Sequence, residues 1–104
     1  MLVEELTKGE QSDKVLFNVM EEMVRRVVDE KIGTMGMCDC EVCRLNACAI
    51  ALNTLPPRYV TSQRGNLLAH VSSEMLNYKS QVLVETTKAL LQVKAHPLHD
   101  DKQR

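Results

Sequence analysis

Three of the four cysteines lie in one short stretch, Cys38-Asp39-Cys40-Glu41-Val42-Cys43, a CxCxxC spacing suited to a soft metal ion. Zinc takes thiolates at about 2.3 Å in a tetrahedron, and short spacers let a chain fold back on the ion. With a helix beginning near Asp39, Cys40 and Cys43 sit one turn apart on one face, where the positive helix N-terminus favours their thiolates. Structural zinc on Cys38, Cys40 and Cys43 is therefore favoured. Three reduced thiols without metal, or a redox Cys40-Glu41-Val42-Cys43, stay open, the latter against the lack of any βαβ pattern around it. A helix would place Cys48 about 12 Å along its axis from Cys40 and about 140° around from Cys43, so it reads as a small core residue. The fourth ligand is then sought in His70, another side chain, a partner subunit or water.

A second chemical feature lies in Asn53-Thr54-Leu55-Pro56-Pro57-Arg58-Tyr59-Val60-Thr61. The two prolines fix two φ angles and present the next residues on a stiff chain. Arg58 can clasp a phosphate with two parallel hydrogen bonds, Tyr59 can stack on a purine or use its hydroxyl, and Thr61, Ser62 and Arg64 add polar contacts. Read from the residues alone, the plainer alternative is a helix stop with Tyr59 packed and both arginines solvated.

The elements that must position these groups are helical. Val15/Leu16, Val19/Met20, Met23/Val24, Val27/Val28 and Ile32 recur every four residues, which predicts an amphipathic helix of about twenty residues capped by Ser12. Gly33-Thr34-Met35-Gly36 ends it. A shorter helix starts at the cysteines, capped by Asp39, with Val42, Leu45, Ala49 and Leu52 near one face until Pro56-Pro57 stops it. Leu67 to Val71 reads as loop or a short helical turn. Ser72 or Ser73 caps a long last helix with Met75/Leu76, Val82/Leu83, Thr86/Thr87, Leu90/Leu91 and Val93 as its stripe, ending at His96-Pro97. The expectation is a flexible arm over 1–11, one all-α domain over 12–97 and a flexible tail over 98–104. Because one short middle helix cannot cover both long stripes, a homodimer is expected.

Composition supports that class. At 104 residues, 44% apolar, without Trp and with 3% aromatic residues, the core must come from Leu, Val, Met and Ala, which suits packed helices. The sequence holds no run long enough for a membrane span and no signal-peptide pattern at its start, so a cytoplasmic setting is expected, where cysteines stay reduced or bind metal. Residues 1–30 carry a net charge of −4 and residues 31–104 a net charge of +3. That excess is too small for nonspecific coating of nucleic acid, yet sufficient for one small anionic ligand. Nothing in the spacing of Ser, His and Asp supports an enzyme.

The stretch from Val15 to about Val93 resembles the ComFB family of late competence development proteins. The likeness rests on CxCxxC and on an Asn-x-Leu-x-Pro-x-Tyr-Val-Thr motif supplied by Asn53, Leu55, Pro57, Tyr59, Val60 and Thr61. The resemblance implies a small helical homodimer that acts as a receptor for cyclic dinucleotides, notably cyclic di-GMP, in competence or motility regulation. Arg58 and Arg64 would then meet phosphates and Tyr59 a base, with Asn53 and Thr61 beside them. The competing expectation is a zinc-braced dimeric scaffold for an unidentified protein partner, without a small ligand.

Overall fold

The computed structural model describes residues 14–97, so the Ser12 cap, the arm 1–11 and the tail 98–104 lie outside the described residues. The chain does not enter its first helix at Val15. Residues 14–16 are irregular, and Phe17–Asn18 form strand β1. Helix α1 then spans Val19–Lys31, thirteen residues where the periodicity predicts about twenty. The cause is visible in Asn18, whose extended backbone and side-chain oxygen cap the helix by accepting the Met20 N–H at 3.1 Å. Asn18 with Glu21 three residues on is a capping-box pattern, and Glu21, Glu22 and terminal Lys31 complement the helix dipole.

A short 3-10 turn, Ile32–Thr34, closes α1, and Gly36 at φ +63° reverses the chain in a conformation open to glycine. Helix α2 spans Glu41–Thr54. Its cap is Cys40, not Asp39, and no side chain caps it. The buried face also differs from the predicted one. Cys43, Ala47, Cys48 and Ala51 turn inward while Leu45 is 44% exposed and Ala49 is exposed. The small residues face the core because they let α1 and the last helix approach closely, a choice that tertiary packing makes and hydrophobicity alone does not.

Leu55 precedes Pro56, which excludes it from the helical region, and it ends α2 in extended geometry at φ −103°, ψ 145°. The chain leaves as strand β2, Tyr59–Val60, antiparallel to β1 with Phe17 opposite Val60 and Asn18 opposite Tyr59. Flanking bonds from the Val15 N–H to the Thr61 carbonyl (2.9 Å) and from the Val19 N–H to the Arg58 carbonyl (2.7 Å) lengthen this pairing. Helix α3 spans Gln63–Val71, where the run Leu67 to Val71 is wholly helical, and Ser62 caps it by accepting the Gly65 N–H at 2.8 Å. A Cβ at Gly65 would lie 3.1 Å from the Ser62 hydroxyl oxygen, so glycine suits this close first turn.

Helix α4, Ser73–Ala95, is capped by Ser72, which accepts the Met75 N–H at 3.2 Å. Of its predicted stripe, Met75, Val82, Thr86, Leu90 and Val93 are buried, joined by Ala89, whereas Leu76, Leu83 and Leu91 are exposed. Helices α1, α2 and α4 pack on one another and enclose the core, with Met20, Ile32, Met75 and Leu90 as its largest fully buried side chains. Burial of each such side chain contributes about 1.5–3 kcal/mol. The fold is all-α apart from the two-residue ladder. No described helix is long and apolar enough to cross a membrane.

Candidate functional site

The reversal at Gly36 sends the chain past Cys38 and Cys40 into the first turn of α2, where Cys43 lies. The three Sγ atoms fall within 4.8 Å of one another, the one group of potential metal ligands of this kind among the described residues. Sulfurs bound to one zinc at about 2.3 Å stand roughly 3.8 Å apart, so this donor set is close to the spacing a metal needs. Cys43 is fully buried, and its thiol is pushed up to about 12, with burial the largest cause. Hydrogen bonds to Cys38 and Cys40, and the charge those thiols would add, push the same way. Three ionised sulfurs there need a cation between them, and a bound metal would supply it.

Arg44 secures this corner from outside. Its Nε donates to the Asp39 carbonyl at 2.9 Å, and its Nη1 lies 2.6 Å from Asp29 Oδ1 near the end of α1. The peptide between Cys38 and Cys40 is thereby tied to a second helix. His70 does not join the cysteines, since its Nε2 lies 3.1 Å from Glu22 Oε1 instead. Cys48 is buried further along α2, with its thiol also pushed up by burial, and lines a separate small cleft beside Arg25 and Arg44. A fourth ligand to a metal on Cys38, Cys40 and Cys43 would come from outside this group.

The predicted ligand residues fall mostly on one segment. Arg58, Tyr59 and Thr61 run along β2 and its edge, and Arg64 is exposed in the first turn of α3. Val60 packs against the core, so strand alternation turns Tyr59 and Thr61 to the opposite side. Tyr59 is 62% exposed. Asn53 is exposed on the last turn of α2, on the other side of the diproline. None of the five lines the cleft of about 560 Å³ that opens between α1, α3 and α4. The residue that holds the segment is Asn18, whose Oδ1 accepts the Arg58 N–H at 2.7 Å as well as that of Met20. Periodicity hides it inside a longer helix, although Asn with Glu three residues on marks an N-terminus.

The family model described as late competence development protein ComFB matches residues 17–97. The chain belongs to the ComFB family. That match spans β1 through α4 and so includes both the cysteine corner and the diproline segment. Among solved structures, this chain is similar to the late competence protein ComFB from Bacillus subtilis, with a TM-score of 0.70 and 24% identity. The alignment covers 84% of this chain and 94% of the Bacillus subtilis chain, a likeness that shows the shared fold. No curated protein matches the sequence.

Proposed function

We propose that this ComFB-family chain is a cytoplasmic, non-enzymatic regulatory protein of the late-competence type, and that residues 58–64 recognise a cyclic dinucleotide such as cyclic di-GMP. The observation that carries this reading is the exposed ring of Tyr59, which follows Arg58 on a strand whose backbone is bonded at both ends to residues 15–19 and which leads into the helix that carries Arg64. An exposed, rigid aromatic ring offers a face for a purine, and guanidinium groups match phosphodiester oxygens. Rigidity matters because fewer rotamers and backbone states are lost on binding. In this reading Cys38, Cys40 and Cys43 hold a structural zinc that braces the preceding corner. Its role there is to neutralise the thiolates and stiffen the start of α2.

A homodimer is part of the same proposal. Leu76, Leu83, Val84 and Leu91 recur at intervals of seven and eight residues along α4, each about half exposed, and form a second apolar stripe away from the buried one. A second copy of the chain would cover it. The same stripe supports a second reading, in which the zinc-braced dimer is a scaffold for a protein partner without a small ligand.

Calorimetric titration with cyclic di-GMP, with cyclic di-AMP and GTP as comparisons, separates the two. Saturable binding of a cyclic dinucleotide at low-micromolar or tighter affinity, weakened at least tenfold by Arg58→Ala with Tyr59→Ala, is expected. Absence of saturable binding by the folded protein would leave the scaffold.

A further inference from the structure

The start of α2 sorts the three clustered sulfurs by depth. Cys43 is fully buried, whereas Cys38 and Cys40 are half-buried and open to small solutes. All three are reduced in this structure, and each Sγ lies within 4.8 Å of the other two. Cys40 is the N-cap of α2, and its carbonyl accepts the Arg44 N–H at 3.0 Å. That bond holds Cys40 and Cys43 one turn apart, the first at the mouth of the helix and the second inside it.

Residues three apart in an α-helix have Cα atoms about 5 Å apart, inside the range of roughly 4.4–6.8 Å that a disulfide spans. A bond between Cys40 and Cys43 therefore closes without unwinding α2. Cys38 lies before the helix on irregular backbone, and no helical register fixes its spacing to either of the others. Arg44 keeps the corner anchored while sulfurs change partners, since it bonds the Asp39 carbonyl at 2.9 Å and Asp29 Oδ1 at 2.6 Å. An accessible sulfur that meets an oxidant, with a shielded one beside it to resolve the product, is the usual layout of a redox-sensing pair.

We propose that Cys40 and Cys43 form a reversible disulfide in response to hydrogen peroxide, with Cys38 as the sulfur left over, so that the start of α2 is a redox switch. The Cys40 sulfur attacks one peroxide oxygen and the O–O bond breaks. Cys40 becomes a sulfenic acid, and the other oxygen leaves as water with the proton of the thiol. The Cys43 sulfur then attacks the Cys40 sulfur, and the sulfenic hydroxyl leaves as a second water with the Cys43 proton. Two thiols lose two electrons in all and peroxide takes them; a small thiol such as dithiothreitol returns them. The switch stands on the cysteine geometry and not on a bound metal. Where zinc is held, the disulfide withdraws two of its three protein sulfurs and expels it, and the two oxygens then depart as hydroxide.

The test exposes the whole chain, metal-free and zinc-loaded, to hydrogen peroxide and then alkylates the remaining thiols. Trypsin cuts at Lys31 and Arg44, so one peptide, 32–44, carries all three cysteines. Loss of two hydrogens from that peptide is expected in both forms, with Cys38 as its one alkylated cysteine and with full reversal by dithiothreitol. Zinc-loaded protein should also release its metal to a chromophoric chelator. In metal-free protein Cys38→Ser should keep the reaction, Cys40→Ser should slow it at least about tenfold, and Cys43→Ser should leave a Cys40 sulfenic acid that dimedone traps. Alkylation of Cys40 or Cys43 in place of Cys38, a Cys38→Ser variant that no longer reacts, or oxidation that dithiothreitol does not reverse overturns the switch. Protein that keeps its zinc and all three thiols under peroxide overturns the switch and leaves the zinc reading standing. Disulfide formation in a protein that takes up no zinc supports the switch and removes the metal.

Discussion

The side-chain oxygen of Asn18 accepts the backbone N–H of Arg58 at 2.7 Å across forty residues of sequence, while capping α1 through the Met20 N–H at 3.1 Å. One amide oxygen thus satisfies a helix terminus and anchors the segment after the diproline. Because a buried backbone N–H needs a partner, losing Asn18 removes two bonds at once.

Asn18→Ala should destabilise the protein by about 1–2 kcal/mol, the usual cost of a lost cap, whereas Asn18→Asp, which keeps the acceptor, should cost less. Urea denaturation of both variants measures it. If the proposed role of residues 58–64 is right, cyclic dinucleotide affinity of the folded Ala variant also falls, since Arg58 and Tyr59 lose their anchor.

Arg44→Ala should leave the fold intact but loosen the peptide between Cys38 and Cys40. Outer groups that orient metal ligands typically change affinity by about 10–100-fold, so zinc affinity measured by chelator competition should fall by that factor. Cys40→Ser should lose stoichiometric zinc outright. Wild-type protein purified without added metal that holds no zinc, and takes none up, would remove the metal from this corner.

For metal-free, reduced protein the pH dependence has a definite sign. The folded Cys43 thiol titrates near 12 against an ordinary 9.0, so the unfolded chain surrenders that proton first as pH rises. The stability gained by keeping Cys43 neutral is complete below pH 9 and is lost between 9 and 12. Denaturation midpoints of the wild type should therefore drop more steeply over that window than those of Cys43→Ala. Zinc runs the other way, because ligation needs thiolates and acid releases the ion.

Thr86 is fully buried in α4, and its hydroxyl oxygen has no hydrogen-bond partner among the described residues. An unsatisfied buried hydroxyl costs about 1–3 kcal/mol, so Thr86→Val, which keeps the shape and removes the polar atom, should raise stability by roughly 1 kcal/mol. Thermal unfolding checks this, and a lower melting temperature would show that the hydroxyl has a partner in solution.

Leu76→Glu with Leu91→Glu places charge on the exposed stripe of α4 without touching its buried face. Wild-type protein should sediment at twice the 11.8 kDa chain mass and the double variant at the chain mass. A monomeric wild type would leave the stripe to another partner.

The all-α class, the CxCxxC corner, the diproline stop, the Ser72 cap and the buried half of α4 were legible because each depends on neighbours within a turn or two of helix. Residue type and spacing alone determine whether a proline ends a helix or three thiols can approach each other. The start of α1 was not legible, since Val15 and Leu16 continue the helical period. Only the pairing of β1 with β2, and Asn18 with Arg58, pulls that stretch into extended backbone. The inward face of α2 was decided in the same way, by two helices close enough to require Cys43, Ala47 and Ala51, where the periodicity predicts Val42, Leu45, Ala49 and Leu52. His70 illustrates the limit most directly: its chemistry suits a metal, but the packing of α3 on α4 and β2 leaves it beside Glu22 of α1. Partners distant in sequence set these outcomes, and no local periodicity records which distant partner a chain will meet.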